Sequence, residues 1–297
     1  MGVRIASLLP SATDVVLALG LGEQLVGVTF ECSVPDELRG RVRVVVGGQD
    51  TRSMTPADID AEVRRRAAAG EDIYTLHAGA LADLDADLVL TQDLCRVCAI
   101  PSDQVDAALA HLGCTADVIA LDPHRLDEVL ASIIEVGART GIPEHAADVV
   151  AALQRRLDQV SAQVAGQPHP RVAIVEWVDP PFDAGHWVPD LITAAGGTPV
   201  FGEAGRRSLT STWAELAQCQ PDIVMISPCG FNLAAASAQA EQVLDQLPPA
   251  AQVWAVDADR LVVRPGPYLV DGVEALAWVL HPGQIPEPPA GSVQRIR

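Results

Sequence analysis

The sequence contains no lysine and few aromatic residues, and its charge is strongly one-sided. All 20 basic residues are arginines, whereas Asp and Glu number 39, so the formal net charge is -19. This balance argues against nucleic acid or an anionic membrane surface as a partner. The acidic residues are scattered along the chain, so the excess indicates solubility more than a particular substrate.

Long hydrophobic runs and a secretory signal pattern are also missing. No run reaches the roughly 18–20 apolar residues of a membrane-spanning helix. A signal peptide needs a basic stretch, about 7–15 apolar residues and a small-residue cleavage site. Instead, Met1–Arg4 leads directly into Ile5–Pro10, which is typical of a strand that ends at a turn. Six cysteines do not make a disulfide scaffold. We therefore expect a cytoplasmic protein whose cysteines are thiols, thiolates or metal ligands.

Several catalytic signatures are absent as well. The chain has no G-x-S-x-G, no G-x-x-x-x-G-K-[ST] and no H-E-x-x-H. Gly20–Gly22 follows a helical segment, whereas a dinucleotide-binding fingerprint would connect a strand to a helix. The sequence therefore favours a binding protein over an enzyme.

Short β-branched runs alternate with helical segments in both halves of the chain, which is typical of βα units and mostly parallel sheets. Between the halves, apolar residues at helical spacing predict one long helix from Pro143 to about Val164. A chain of 297 residues is also expected to form two domains. We predict an α/β fold with two Rossmann-like lobes. The predicted parts are an N-terminal lobe over 1–142, an interlobe helix over 143–166, a C-terminal lobe over 167–281 and a proline-rich flexible tail over 282–297.

The individual elements follow from the same patterns. The predicted strands are Val3–Leu8, Leu25–Phe30, Val42–Val46, Asp87–Thr91, Thr115–Leu121, Arg171–Trp177, Thr198–Phe201, Asp222–Ser227, Gln252–Val256 and Leu261–Arg264. Helices are predicted at about Thr55–Ala69, Ser102–Leu112, Arg125–Thr140, Val188–Ala195, Thr212–Gln218, Ala234–Leu247 and Leu269–Leu280. The first helix is predicted to begin at Ser11, which would cap it in a box with Asp14.

Ligands of open parallel sheets bind beyond the carboxyl ends of the strands. Six unusual residues follow predicted strands: Glu31, Cys32, Cys95, Cys98, Cys229 and Phe231. Thiolates bind soft or borderline metals, and a C-x-x-C pair can supply two ligands to one ion. If the two halves face each other, these four cysteines could hold Zn, an Fe–S cluster or the metal of a bound chelate. The alternative is that the cysteines are small buried hydrophobes, which we prefer for Cys114 and Cys219.

Aromatic residues concentrate in one loop of the second half. Trp177, Phe182 and Trp187 lie within eleven positions and offer flat faces to a large planar ligand. Alternatively, they fill a gap between the lobes. His186, in the same loop, could be an axial metal ligand or a hydrogen-bond donor, or it could be purely structural.

A further loop follows the predicted strand at Leu261–Arg264. Arg264 and Tyr268 in this loop could hold an anionic group of a ligand. Arg264 could equally pair with one of the many carboxylates of the protein. Both interpretations stay open at the level of the sequence.

Three stretches resemble the cobalamin- and iron-siderophore-binding proteins of ABC importers. They are Arg4–Asp14 with Ala18–Gly20 and Leu25–Val28, then Ala86–Gln92, and finally Pro180–Trp187 with Ala195–Gly197. The resemblance covers about residues 3–281, and the motifs are most similar to those of the cobalamin-binding branch. It implies two α/β lobes joined by one rigid helix, with the ligand between the lobes and only small domain motions. It also implies a corrinoid ring near Trp177, Phe182 and Trp187.

Three hypotheses follow. The first is a cytoplasmic binding protein for a corrinoid or another metal chelate, with a thiolate touching the metal. The second is a metal- or iron–sulfur-containing enzyme or redox protein that uses Cys32, Cys95, Cys98 and Cys229 as ligands. The third is the substrate-binding component of an ABC importer, with the transporter permease as its partner.

Overall fold

The computed structural model describes residues 2–48, 51, 54–69, 71, 74–76, 84–92 and 116–297. The chain divides into two compact units. The first unit comprises Met1–Asp122 and Ser132–Val149, and the second comprises Pro123–Ala131 and Val150–Arg297. Among the described residues, none of the helices combines the length and the apolar character needed to cross a membrane.

The first unit is built on a six-stranded sheet. Its strands are β1 Ile5–Ser7, β2 Leu25–Thr29, β3 Arg43–Gly48, β4 Tyr74–Leu76, β5 Leu88–Thr91 and β6 Asp117–Ala120. They lie in the order β4-β3-β2-β1-β5-β6, and all neighbours are parallel except β3 and β4. The five strands predicted here are confirmed to within two residues at each end, and β4 was not predicted.

The helices of the first half are α1 Pro10–Ala18, α2 Asp36–Arg39 and α3 Pro56–Ala69, with a 3-10 turn at Gly22–Gln24. The predicted cap at Ser11 is wrong, because α1 already begins at Pro10 and no side chain caps it. Proline suits a first helical position, since the missing N–H would have no intrahelical partner there. The predicted helix at Ser102–Leu112 lies outside the described residues.

Two helices contain residues of both units. They are α4 Leu126–Arg139 and α5 Pro143–Val164, and α5 has the bounds that the apolar spacing predicted. With a rise of 1.5 Å per residue, the 22 residues of α5 form a rod about 33 Å long. Buried Leu153, Leu157, Val160 and Val164 lie on its apolar side.

The second unit carries a five-stranded sheet and a small hairpin. The sheet strands are β7 Arg171–Val175, β10 Thr198–Phe201, β11 Ile223–Ile226, β12 Gln252–Val256 and β13 Val293–Arg295, and the hairpin strands are β8 Trp177–Val178 and β9 Pro181–Phe182. The order is β10-β7-β11-β12-β13, and only β13 is antiparallel. Both faces of β7 and β11 are buried, as expected for a parallel sheet covered by helices.

After α5, the second unit contains the helices α6 Val188–Ala194, α7 Trp213–Gln218, α8 Leu233–Val243, α9 Ala258–Leu261 and α10 Leu269–Leu280, with a 3-10 turn at Leu244–Gln246. The predicted mixed α/β class with mostly parallel sheets is confirmed. Thr212 and Glu215 form a complete capping box at the start of α7.

Two predictions in the second unit are wrong. Leu261–Arg264 is not a strand, because the backbone from Ala258 turns helically and the N–H of Val262 bonds the carbonyl of Ala258 at 3.1 Å. A short apolar run suits a buried helix end as well as a strand. The tail over 282–297 is not flexible throughout, because β13 pairs with β12 and satisfies its open edge.

Candidate ligand-binding site

Three aromatic side chains meet at the carboxyl edge of the sheet of the second unit. The rings of Trp177 and Phe231, which follow the neighbouring parallel strands β7 and β11, have centroids 5.7 Å apart. Phe182 lies directly opposite Trp177 in the β8–β9 hairpin, so the two side chains share one face. All three are half-buried, and the indole N–H of Trp177 donates to the carbonyl of Asp179 at 3.2 Å. We call Trp177, Phe182 and Phe231 the aromatic surface.

Backbone hydrogen bonds fix the turns that carry this surface. The N–H of Cys229 donates to the carbonyl of Glu176 at 3.0 Å, which joins the residues that follow β7 and β11. The N–H of Asp259 donates to the carbonyl of Phe231 at 3.1 Å. Main-chain hydrogen bonds to Glu176 and Asp259 therefore hold the turn that carries Phe231. The exposed thiol of Cys229 lies in this turn, beside the aromatic surface.

A buried carboxyl group lies next to the aromatic surface. Glu176 precedes Trp177, and its carboxyl accepts hydrogen bonds from the Gly185 N–H at 2.8 Å and the Ser208 hydroxyl at 2.6 Å. Burial raises the pKa of Glu176 to about 7. The charge of Asp183 contributes to this rise, whereas the two hydrogen bonds oppose it. The group therefore changes its charge near neutral pH.

A second carboxylate fixes the segment 202–210 against the hairpin loop. Asp183 is 8% exposed and accepts bonds from the guanidinium of Arg206 and the N–H of Leu209, both at 2.6 Å. Gly185 completes this contact, because a Cβ atom at that position would overlap the backbone of the segment. The loop after β10 is thus clamped by one ion pair and by close backbone approach.

His186 has a left-handed backbone conformation, with φ of 47°. Its N–H donates to the carbonyl of Arg206 at 2.6 Å, and its own carbonyl accepts from the N–H of Gly205 at 2.9 Å. Burial, together with the nearby His124 and Arg207, lowers the pKa of His186 to about 4. The imidazole is therefore neutral at physiological pH.

The sequence also matches an established family. Residues 5–268 fit the sequence profile described as periplasmic binding protein. The chain belongs to the periplasmic binding protein family. The resemblance inferred from the sequence motifs is confirmed at this level, and no curated protein matches the chain.

Solved structures of this family share the fold. A periplasmic heme binding protein from Pseudomonas aeruginosa is 21% identical with a TM-score of 0.69, covering 99% of this chain and 98% of its own. The periplasmic vitamin B12 binding protein BtuF of Vibrio cholerae is 22% identical with a TM-score of 0.67, covering 94% and 96%. An ABC transporter substrate-binding protein from Listeria monocytogenes is 17% identical with a TM-score of 0.68, covering 95% and 99%.

Trp187, predicted to lie near a ligand, has a buried side chain in the structure. It is 5% exposed, and its indole N–H donates to the carbonyl of Val262 at 2.8 Å. The bond to Val262 satisfies the indole N–H, so the ring can be buried at this position, immediately before α6. Of the three aromatic residues of the predicted loop, Trp177 and Phe182 lie on the aromatic surface and Trp187 does not.

Arg264 and Tyr268 both have partners within the protein. The guanidinium of Arg264 makes a two-pronged contact with Asp259, at 3.0 and 2.6 Å. The ring of Tyr268 lies 4.7 Å below the guanidinium of Arg260. The structure therefore contains the ion pair that one of the two interpretations expected, whereas binding of a ligand by Arg264 stays a prediction.

The predicted residues of the first unit lie after β2. Glu31 is exposed, and its N–H donates to the Thr29 hydroxyl at 3.1 Å. The sulfur of Cys32 is half-buried and accepts from the Thr13 hydroxyl at 3.0 Å. Cys32 therefore lies among hydroxyl groups rather than in an apolar core.

The predicted cysteine metal site has no confirmation in the described part of the chain. Cys95 and Cys98 lie outside it, and Cys32 and Cys229 belong to different units. The described ranges contain no group of three or more His, Cys, Asp or Glu side chains placed to hold a metal ion. Ligation by these cysteines stays a prediction.

Proposed function

We propose that the protein binds a corrinoid or another metal chelate with a flat ring system. Membership of the periplasmic binding protein family supports a solute-binding role. Related folds include proteins named for binding vitamin B12 and heme, both of which contain a metal in a macrocycle. The observation that carries the proposal is the pair of Trp177 and Phe231 at the carboxyl edge of the sheet.

The aromatic surface suits such a ligand because its rings are flat and their exposed parts are apolar. The indole N–H of Trp177 is already bonded to the protein, so the exposed part of the ring is apolar. Apolar burial contributes about 25 cal/mol per Å², so covering roughly 100 Å² of ring surface contributes about 2.5 kcal/mol. Flat rings gain further from offset or edge-to-face contacts with aromatic side chains.

The turn beside the surface supplies a soft metal ligand. Cys229 is exposed and lies two residues before Phe231. A thiolate at this position would bind the metal of a chelate that rests on the rings, since sulfur prefers soft or borderline metals. Cys229→Ser should then change the visible spectrum of the bound chelate while the aromatic contacts are kept. An unchanged spectrum would remove the thiol from the proposal.

Ligand-free protein titrated with cyanocobalamin and, separately, with heme provides the test. Binding is followed by quenching of tryptophan fluorescence and by visible absorbance. Trp177→Ala and Phe231→Ala should each weaken binding about tenfold or more, because each removes a large contact face. Trp254→Ala is the matched control, since Trp254 packs edge-on against Trp278 and does not belong to the aromatic surface. No binding of either chelate, or equal loss in the control, would refute the proposal.

We also propose that the bound ligand is delivered to an ABC transporter permease. Family membership supports this role, whereas the sequence predicted a cytoplasmic protein. Cell fractionation of the natural host with an antibody against this protein decides between the two. Recovery outside the inner membrane, together with co-purification of a permease, is the result expected for an importer component. Recovery in the cytosol without a permease would contradict delivery.

A further inference from the structure

Two histidine rings lie close together in the second unit. The ring centroids of His124 and His186 are 5.7 Å apart, and the ring planes are inclined by 41°. His124 lies just before α4 and His186 lies shortly before α6. They are 62 positions apart in the sequence, so nothing in the sequence pattern connects them.

The positions of both rings are fixed by the surrounding backbone. Asp190 of α6 binds the guanidinium of Arg125 at 2.8 Å and the N–H of Leu126 at 3.1 Å, and so ties the start of α4 to α6. The N–H of His124 also donates to a carboxylate oxygen of Glu128 at 2.6 Å. His186 is held in its left-handed conformation by two backbone bonds to the loop after β10. Such a backbone conformation is costly outside glycine and is concentrated at functional sites.

The imidazole of His186 has an unused ligating atom. Its Nε2 is buried and has no hydrogen-bond partner among the described residues. A buried polar atom without a partner is destabilising, so a ligand that supplied a partner would recover that loss. An imidazole nitrogen of this kind is a common ligand of transition-metal ions.

We propose that His124 and His186 together bind a divalent first-row transition-metal ion, such as Ni²⁺, Cu²⁺ or Zn²⁺. With metal–nitrogen bonds of about 2.0–2.1 Å, two imidazoles on one ion have ring centroids about 4.5–6.5 Å apart. The observed 5.7 Å lies within this range. The described ranges hold no third His, Cys, Asp or Glu side chain placed to join the pair, so the other ligands of the ion would come from the solvent. The site contains none of the three residues of the aromatic surface, and its test needs no chelate.

Isothermal titration of the reduced, chelate-free protein with Ni²⁺, Cu²⁺ and Zn²⁺ at pH 7.5 tests the site. We expect one ion per chain at this pair. His124→Ala and His186→Asn should each weaken binding by about tenfold or more, because each leaves a single ligand. Asparagine is used at position 186 because it tolerates the left-handed conformation better than alanine does. His145→Ala and His169→Ala are the control variants, which should bind the ions as the unaltered protein does.

Two outcomes would overturn the metal site. One is the absence of ion binding to the unaltered protein, and the other is unchanged affinity in both His124→Ala and His186→Asn. If His186→Asn fails to fold, as judged by circular dichroism, His124→Ala still decides the question because its side chain is exposed. Because the probe is the ion alone, failure to bind cobalamin or heme has no bearing on this result.

Discussion

The hydroxyl of Ser208 lies 2.6 Å from Oε2 of Glu176 and donates a hydrogen bond to it. Ser208 belongs to the segment 202–210 after β10, whereas Glu176 immediately follows β7. The charge of a buried carboxyl group is thereby linked to the position of a surface segment. Trp177 follows Glu176 directly, so the same link reaches the aromatic surface.

Glu176 should make the stability of the protein depend on pH. Its pKa is raised from 4.5 to about 7, so between these values the folded state holds a proton that the unfolded state has lost. Stability is therefore expected to fall as the pH rises from about 4.5 to 7 and to level off above that, by at most about 3 kcal/mol. Urea unfolding at pH 5 to 8 measures this contribution.

Glu176→Gln should remove this contribution, because the amide resembles the protonated acid. The variant should match the unaltered protein at pH 5 and exceed its free energy of unfolding at pH 8. Glu215→Gln is a control that should show no pH-dependent difference between pH 5 and 8, since hydrogen bonds from Ser211 and Thr212 lower the pKa of Glu215 below its ordinary value of 4.5. The stability contributed by Glu215 is lost as the pH falls through its folded-state pKa. If the difference in free energy of unfolding between Glu176→Gln and the unaltered protein did not change with pH, the raised pKa of Glu176 would be contradicted.

Asp183→Ala should loosen the segment 202–210. The substitution leaves the guanidinium of Arg206 and the N–H of Leu209 without their acceptor, which should cost about 2–3 kcal/mol. Amide hydrogen exchange should accelerate at Leu209. In the control Glu203→Gln, an exposed carboxylate 3.4 Å from Arg206 is neutralised, and the expected change is within about 0.5 kcal/mol. Equal effects of the two substitutions would show that Asp183 is not the clamp.

Removal of residues 293–297 should destabilise the second unit. The truncation would open the edge of β12, uncover the core contact of Ile296 and delete the bonds from Arg297 to the carbonyls of Leu244, Pro248 and Ala251. A lower melting temperature and concentration-dependent aggregation are expected, because an unpaired edge strand pairs with other chains. Arg297→Ala should give a smaller loss, and Arg295→Ala, whose side chain is exposed, should change little. A truncated protein of full stability would contradict the role of β13.

The candidate site was predicted in part. Trp177 and Phe231 could be placed at strand ends because apolar runs define strands and parallel strands end at one edge. The inward turn of Trp187 and the pairing of Arg264 with Asp259 could not be predicted, because both depend on which backbone groups lie nearby in space. Glu176 and Asp183 were missed as buried carboxylates, since a single acidic residue in a loop is most often exposed. The only available sign in the sequence was that Pro181 and Gly185 flank Asp183, which indicates a loop of fixed conformation.

The sequence by itself determined the α/β class, the bounds of the long helix α5 and the family, because these depend on periodicity and on local motifs. Only the tertiary structure decided the partners of individual side chains. It paired the proline-rich end of the chain with β12, buried the carboxyl of Glu176, and brought His124 to His186 across 62 positions. The physical reason is that hydrophobic patterning specifies which surfaces are buried, whereas hydrogen bonds, shifted pKa values and ligand sites depend on distances that exist only after packing.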